Sequence, residues 1–285
     1  MNWESVDHSF CESKILGIPE YINSITSLFI SGFGLLGLFN TPKSNMFIDI
    51  IYSLLFIVGF GSVGYHWTGN IGWAMFDEMP MIYSIFAGII YIDYIYTSII
   101  IEKEMSCKKI THGRLIDTIT HYNNNNIKHK YKLLVYLLGM VGFVICNTMS
   151  KYRRMFPVFF GFIMAYLYYK VYELYSITNI FLKKITINKM YFALKTILSS
   201  AIIWAGTETL CNIVPHPIFL LGHPMWHFFV CHGFYNMIQV IYYINLNDMS
   251  YKISYSYFYV LYIRAPHHID YGMRRAISEY TQIDQ

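Results

Sequence analysis

Charge is scarce in this sequence. Only 13% of its 285 residues are Asp, Glu, Lys or Arg, about half the share usual in soluble domains. Such a chain has too little polar surface to cover a water-soluble globule. The net charge of +4 is small and scattered, which excludes the basic face that a nucleic-acid-binding protein presents. Five cysteines over this length do not make a disulfide scaffold. No internal repeat is evident. A cleavable leader is also missing: Glu4, Asp7, Glu12 and Glu20 interrupt the start of the chain, and no continuous apolar core follows them. The first apolar helix is therefore expected to act as the targeting signal.

What is abundant is apolar. Hydrophobic residues make up 55% of the chain, with 27 tyrosines and 21 phenylalanines, a composition that suits a bilayer-embedded protein with interfacial aromatic belts. Apolar segments fall at 21–39, 47–66, 79–101, 132–149, 155–176, 190–212 and 223–244. Each is near the length of about 20 residues that a bilayer core requires. These predict an all-α integral membrane protein, a seven-helix transmembrane bundle over 21–244. Residues 1–20 form a lumenal N-terminal segment and 245–285 a cytosolic tail, whose aromatic stretch 253–263 lies along the interface. The stretch 121–130, HYNNNNIKHK, is a low-complexity loop.

Orientation follows from the basic residues. With the N-terminus outside, the 102–131 loop (Lys103, Lys108, Lys109, Arg114, Lys128, Lys130), the 177–189 loop (Lys183, Lys184, Lys189) and the tail (Arg264, Arg274, Arg275) all lie inside. Only Lys14, Lys151, Arg153 and Arg154 fall outside, 4 of 21. The positive-inside rule favours this arrangement over its reverse.

Against that background, a few polar residues stand out. The run GFGSVGYHWTGNIGWAMFDEMPMIYS, from Gly59 to Ser84, holds Ser62, His66 and Asp77. Ser62 and His66 are four apart and share a helical face, and Gly69, Asn70 and Gly72 permit a turn before Asp77. His223 and His227 repeat the four-residue spacing, by which two imidazoles grip one metal ion from a single helix. The predicted topology puts all five at the outer face. Charge counting and histidine placement are independent signals, and they agree on this depth.

Three neutral imidazoles leave a tetrahedral zinc one open position, where water has its pKa lowered to about 7. Asp77 is a candidate to take that water's proton and pass it to a leaving amine. Ser62 is a candidate to hydrogen-bond the developing oxyanion, a contact worth roughly 3 kcal/mol. Each residue also has a plainer reading. A membrane histidine commonly bonds helix to helix, Ser62 is a small packing residue beside glycines, and Asp77 caps a helix that Pro80 opens. Against these stands the rarity of ionisable groups in spanning segments, which favours function.

At these residues the sequence resembles the alkaline ceramidase family, within the wider group of seven-helix membrane hydrolases that includes the adiponectin and progestin receptors. The resemblance rests on G-x-G-S-x-x-x-H at Gly59, Gly61, Ser62 and His66, on the D-E-x-P-M-I-Y-S run from Asp77 to Ser84, and on H-x-x-W-H at His223, Trp226 and His227. It implies zinc on His66, His223 and His227, with Ser62 and Asp77 catalytic. It also implies hydrolysis of a ceramide-like lipid to sphingoid base and fatty acid in an endoplasmic reticulum or Golgi-type membrane. Two alternatives remain open: a related lipid hydrolase cleaving an ester, and a receptor-like lipid sensor with structural zinc.

The same resemblance implies a calcium site in the N-terminal segment, through Glu12, Glu20 and the carbonyls of Phe10 and Lys14. Here the chain departs from the family: Ser9 stands where relatives carry Asp, with Asp7 a possible substitute, and the segment is shorter. The family's Trp followed seven residues later by Cys matches Trp204 and Cys211. Both Cys11 and Cys211 then face an oxidising lumen, which permits a bridge. Glu208 stands one position later than the family's acid.

Overall fold

The computed structural model describes residues 10–42, 45–107, 134, 136–143, 156–247 and 250–265. A short helix α1 (Cys11–Leu16) precedes the long helices α2 (Tyr21–Asn40), α3 (Met46–Thr68) and α4 (Ile71–Cys107). After a helical stretch at 136–143 come α5 (Phe156–Ile177), α6 (Ile180–Ile213), a 3-10 turn (Pro217–Leu221) and α7 (Gly222–Leu246). Two strands follow, β1 (Lys252–Tyr255) and β2 (Leu261–Arg264). Most of the predicted segment at 132–149, the loop beyond 107, the Lys151–Arg154 cluster and the tail from 266 lie outside the described residues.

Among the described residues, four helices are long and apolar enough to cross a bilayer: Tyr21–Asn40, Met46–Thr68, Ile71–Lys103 and Ile180–Ile213. Their outward faces carry large exposed apolar side chains such as Phe39, Phe60, Ile202 and Ile213, the pattern expected where lipid replaces water.

Two helices begin well before the apolar segments that announce them. The third segment, expected from 79, starts at Ile71, where the Asn70 side chain accepts the Gly72 N–H at 3.0 Å. Asp77 therefore lies inside the helix and does not cap it. The sixth, expected from 190, starts at Ile180, with the Asn179 side chain accepting from Phe181 at 2.9 Å. The basic loop predicted at 177–189 is thus mostly helix. Hydropathy marks the part of a helix that meets lipid, whereas caps mark where it begins.

The bundle is organised around α7. Every residue from Cys231 to Ile244 is buried, so this helix meets protein on all sides and tolerates His232, Asn236 and Gln239. Gln239 donates to the Tyr52 hydroxyl of α3 at 2.9 Å.

The stretch read as an interfacial tail is instead an antiparallel hairpin, Ile253 opposite Ile263 and Tyr255 opposite Leu261. It packs on α7. Asn236 donates to the Tyr259 carbonyl and accepts from the Leu261 N–H at 2.8 Å, while the His232 ring meets the Phe258 carbonyl at 3.0 Å. The alternation Ile-Ser-Tyr-Ser-Tyr at 253–257 was the strand signal. The all-α expectation needs this one amendment.

A buried ionic cluster joins α4 to α5. The Lys170 ammonium lies 2.9 Å from Asp93 and 2.6 Å from Glu173, and Tyr136 donates to Asp93 at 2.9 Å. Asp93 is sixteen residues past Asp77, about 24 Å along the helix, so this cluster is cement rather than chemistry. Lys170→Met leaves Asp93 buried without its cation and should cost about 3–5 kcal/mol. Thermal melting in detergent checks this, with Asp93→Asn added to Lys170→Met expected to recover most of the loss.

Candidate metal centre

Glycines set the site's frame. A Cβ on Gly59 would stand 2.2 Å from the Ser31 hydroxyl and 2.9 Å from the Ser27 carbonyl, both on α2. A Cβ on Gly61 would stand 2.3 Å from the Phe76 carbonyl carbon and 2.5 Å from the Asp77 nitrogen, both on α4. Two residues turn a helix by about 200°, so the pair clears opposite sides of α3. Ser62 and His66 follow on the same helix, both buried. Helix α3 ends at Thr68, two residues after His66, and is capped by Gly69, whose φ of 64° is left-handed and whose N–H bonds the Tyr65 carbonyl.

His223 and His227 occupy the first two turns of α7 and are buried. Ring centroids lie 4.9 Å apart for His66 and His223, 5.3 Å for His66 and His227, and 4.6 Å for His223 and His227. One nitrogen from each ring lies within 4.8 Å of the others. Residues from α3 and α7, predicted to share a depth, also share a point.

The remaining nitrogens explain why these rings fit a metal. His66 Nδ1 meets Glu20 Oε2 at 2.5 Å, and a carboxylate there holds the proton on Nδ1 and leaves Nε2 as the donor pair. His227 Nδ1 lies 3.0 Å from the Thr26 hydroxyl, which donates its own proton to the Ile22 carbonyl at 2.8 Å. Thr26 thus accepts, and His227 also keeps Nε2 for a metal. His223 Nδ1 has two neighbours, the Trp204 indole N–H at 3.2 Å and Glu208 Oε1 at 3.5 Å. With the proton on Nδ1 only Glu208 can receive it, since an indole N–H only donates.

Around the rings, the structure distributes the other singled-out residues. The Ser62 and Ser27 hydroxyls are 3.0 Å apart, and Ser27 also donates to the Asn23 carbonyl at 2.7 Å. Asp77 is half-buried on α4, at the point where Gly61 admits that helix. Cys11 and Cys211 are joined as a disulfide, and the Cys11 N–H donates to Glu208 at 2.8 Å. The bridge ties α1 to the end of α6 and lays the Phe10 ring over the centre, 4.3 Å from His223 and 5.4 Å from His66 by centroid. His232 belongs to the hairpin contact, and His267 and His268 lie outside the described residues.

The four residues expected around calcium each have contacts within the protein. Glu12 accepts the Ile22 and Asn23 N–H groups at 2.8 Å each, capping α2 from a separate helix. The Phe10 carbonyl accepts from the Ser13 hydroxyl and the Lys14 N–H, the Lys14 ammonium bonds Asn212, and Glu20 stands behind His66. Asp7, the substitute for the family's Asp, and Ser9, which stands in that Asp's place, lie outside the described residues.

Sequence reasoning overlooked Thr26, Ser27 and the pairing of Glu20. A signal existed: Asn23, Ser24, Ser27 and Ser31 put a buried polar stripe on the first long apolar helix, and polar residues there face protein. Comparison with known proteins adds one match: a family model described as Ceramidase covers residues 4–268. Among curated proteins none matches.

Proposed function

Because this chain belongs to the Ceramidase family, and so to hydrolases of the ceramide amide bond, we propose that it is a zinc-dependent intramembrane amidase with His66, His223 and His227 as ligands. The observation that carries the reading is geometric: one nitrogen from each of the three rings lies within 4.8 Å of the others, while Nδ1 of His66 faces Glu20 and Nδ1 of His227 faces Thr26. When bound there, zinc supplies the Lewis acidity that makes water a nucleophile near neutral pH.

The protein's own residues do the rest. The Asp77 carboxylate takes a proton from the attacking water and hands it to the amide nitrogen as the C–N bond breaks. The Ser62 hydroxyl donates to the carbonyl oxygen as its charge grows. One water is consumed, and a fatty acid and a sphingoid amine are released. The Phe10 ring over the histidines restricts bulk water on that side, which favours entry of substrate from lipid. With its Nδ1 proton directed to Glu208, His223 would offer Nε2 as the third donor.

The seven-span topology with lumenal N-terminus, in an endoplasmic reticulum or Golgi-type membrane, is part of the same proposal. The charge distribution supports it, and so does the bridge between Cys11 and Cys211, since disulfides persist in oxidising compartments.

Purified protein incubated with ceramides should release sphingoid base and fatty acid, read by mass spectrometry. Release should vanish in His227→Ala and on chelation, and return with zinc. Lipid bound without product would instead mark a sensor and overturn the amidase reading.

A further inference from the structure

We infer that Glu20 is the positioning carboxylate of His66, and that Glu12 braces the metal centre by capping the helix that Glu20 opens. The inference rests on the metal-centre reading above and goes beyond it. Both Glu12 oxygens hold N–H groups at the start of α2, at 2.8 Å each. Those N–H groups have no partner within their own helix, so Glu12 holds the helix end on which Glu20 and Thr26 depend.

Glu20 is held by three contacts, two of them to His66. Its N–H donates to the His66 carbonyl at 2.9 Å, and its Oε2 receives His66 Nδ1 at 2.5 Å. The Asn23 amide donates to that same oxygen at 3.0 Å. The two side chains are no more than 1% exposed. A carboxylate so placed sets the ring's tautomer, fixes its tilt and raises its basicity toward a metal. Removing such a partner typically costs 10–100-fold in metal affinity.

The test measures metal, not turnover. Full-length protein in detergent is equilibrated with chelator-buffered zinc, and zinc per chain is read by elemental analysis. Glu20→Gln should weaken zinc binding about 10–100-fold. Glu12→Gln should lower the melting temperature and leave zinc affinity near that of the wild type. If Glu20→Gln does not fold, Glu20→Asp, which draws the carboxylate back by one methylene, should weaken zinc in the same direction. Unaltered zinc affinity in the Glu20 variants overturns the inference, as does a loss of zinc affinity in Glu12→Gln equal to that in Glu20→Gln. Wild-type protein that holds no zinc would overturn the metal-centre reading itself, a separate result from either.

Discussion

Replacing Asp77 by Asn should leave zinc in place and cut ceramide hydrolysis by about 10²–10⁴-fold, the range that a lost general acid–base group covers. Asn keeps the size and a hydrogen-bonding oxygen but cannot accept the water's proton. The three candidate ligands sit on α3 and α7, while Asp77 sits on α4, so metal content and turnover should separate cleanly. Elemental analysis paired with product release by mass spectrometry makes the comparison. Hydrolysis retained in Asp77→Asn would remove this residue from the mechanism.

Gly61→Ala should do comparable damage from a position that offers no functional group at all. The added methyl would stand 2.3 Å from the Phe76 carbonyl carbon and 2.5 Å from the Asp77 nitrogen. Those are backbone atoms and cannot rotate away, so α4 must move off α3 and carry Asp77 with it. Misplacement by about 1 Å is enough to cost on the order of 10²-fold in rate. Zinc should be retained, because no candidate ligand lies on α4. Gly32→Ala and Gly206→Ala are the controls: a Cβ at either site meets nothing within 4 Å. Each should melt at or above the wild-type temperature, since Ala favours helix over Gly by up to about 1 kcal/mol. Equal effects of all three substitutions would show that close approach at Gly61 is not what places Asp77.

Particular residues show how far the sequence could be read. His66, His223 and His227 were legible because an ionisable group in an apolar run is costly and stands out against its neighbours. The helix bodies were legible for the same reason, and α3 matched its apolar segment almost end to end. Helix starts at Ile71 and Ile180 were not, because the extensions carry polar and basic residues that a helix accepts outside lipid. The hairpin was missed because its Ser-Tyr alternation is short, and its backbone is satisfied by Asn236, a residue of another element. Glu20 was visible as an acid at the start of an apolar helix, yet its partner lies 46 positions away, and nothing local chooses His66 over a cation.

By itself, the order of the amino acids determined that this is an apolar helical protein with three histidines, a serine and an aspartate as its chemical candidates. Periodicity, hydropathy and helical spacing are properties of neighbours along the chain. Only the tertiary structure decided what stands behind each imidazole: Glu20 for His66, Thr26 for His227, and Trp204 with Glu208 for His223. Those pairings depend on how closely helices pack, which glycines at 59 and 61 regulate, and on hydrogen bonds between residues as many as 201 positions apart.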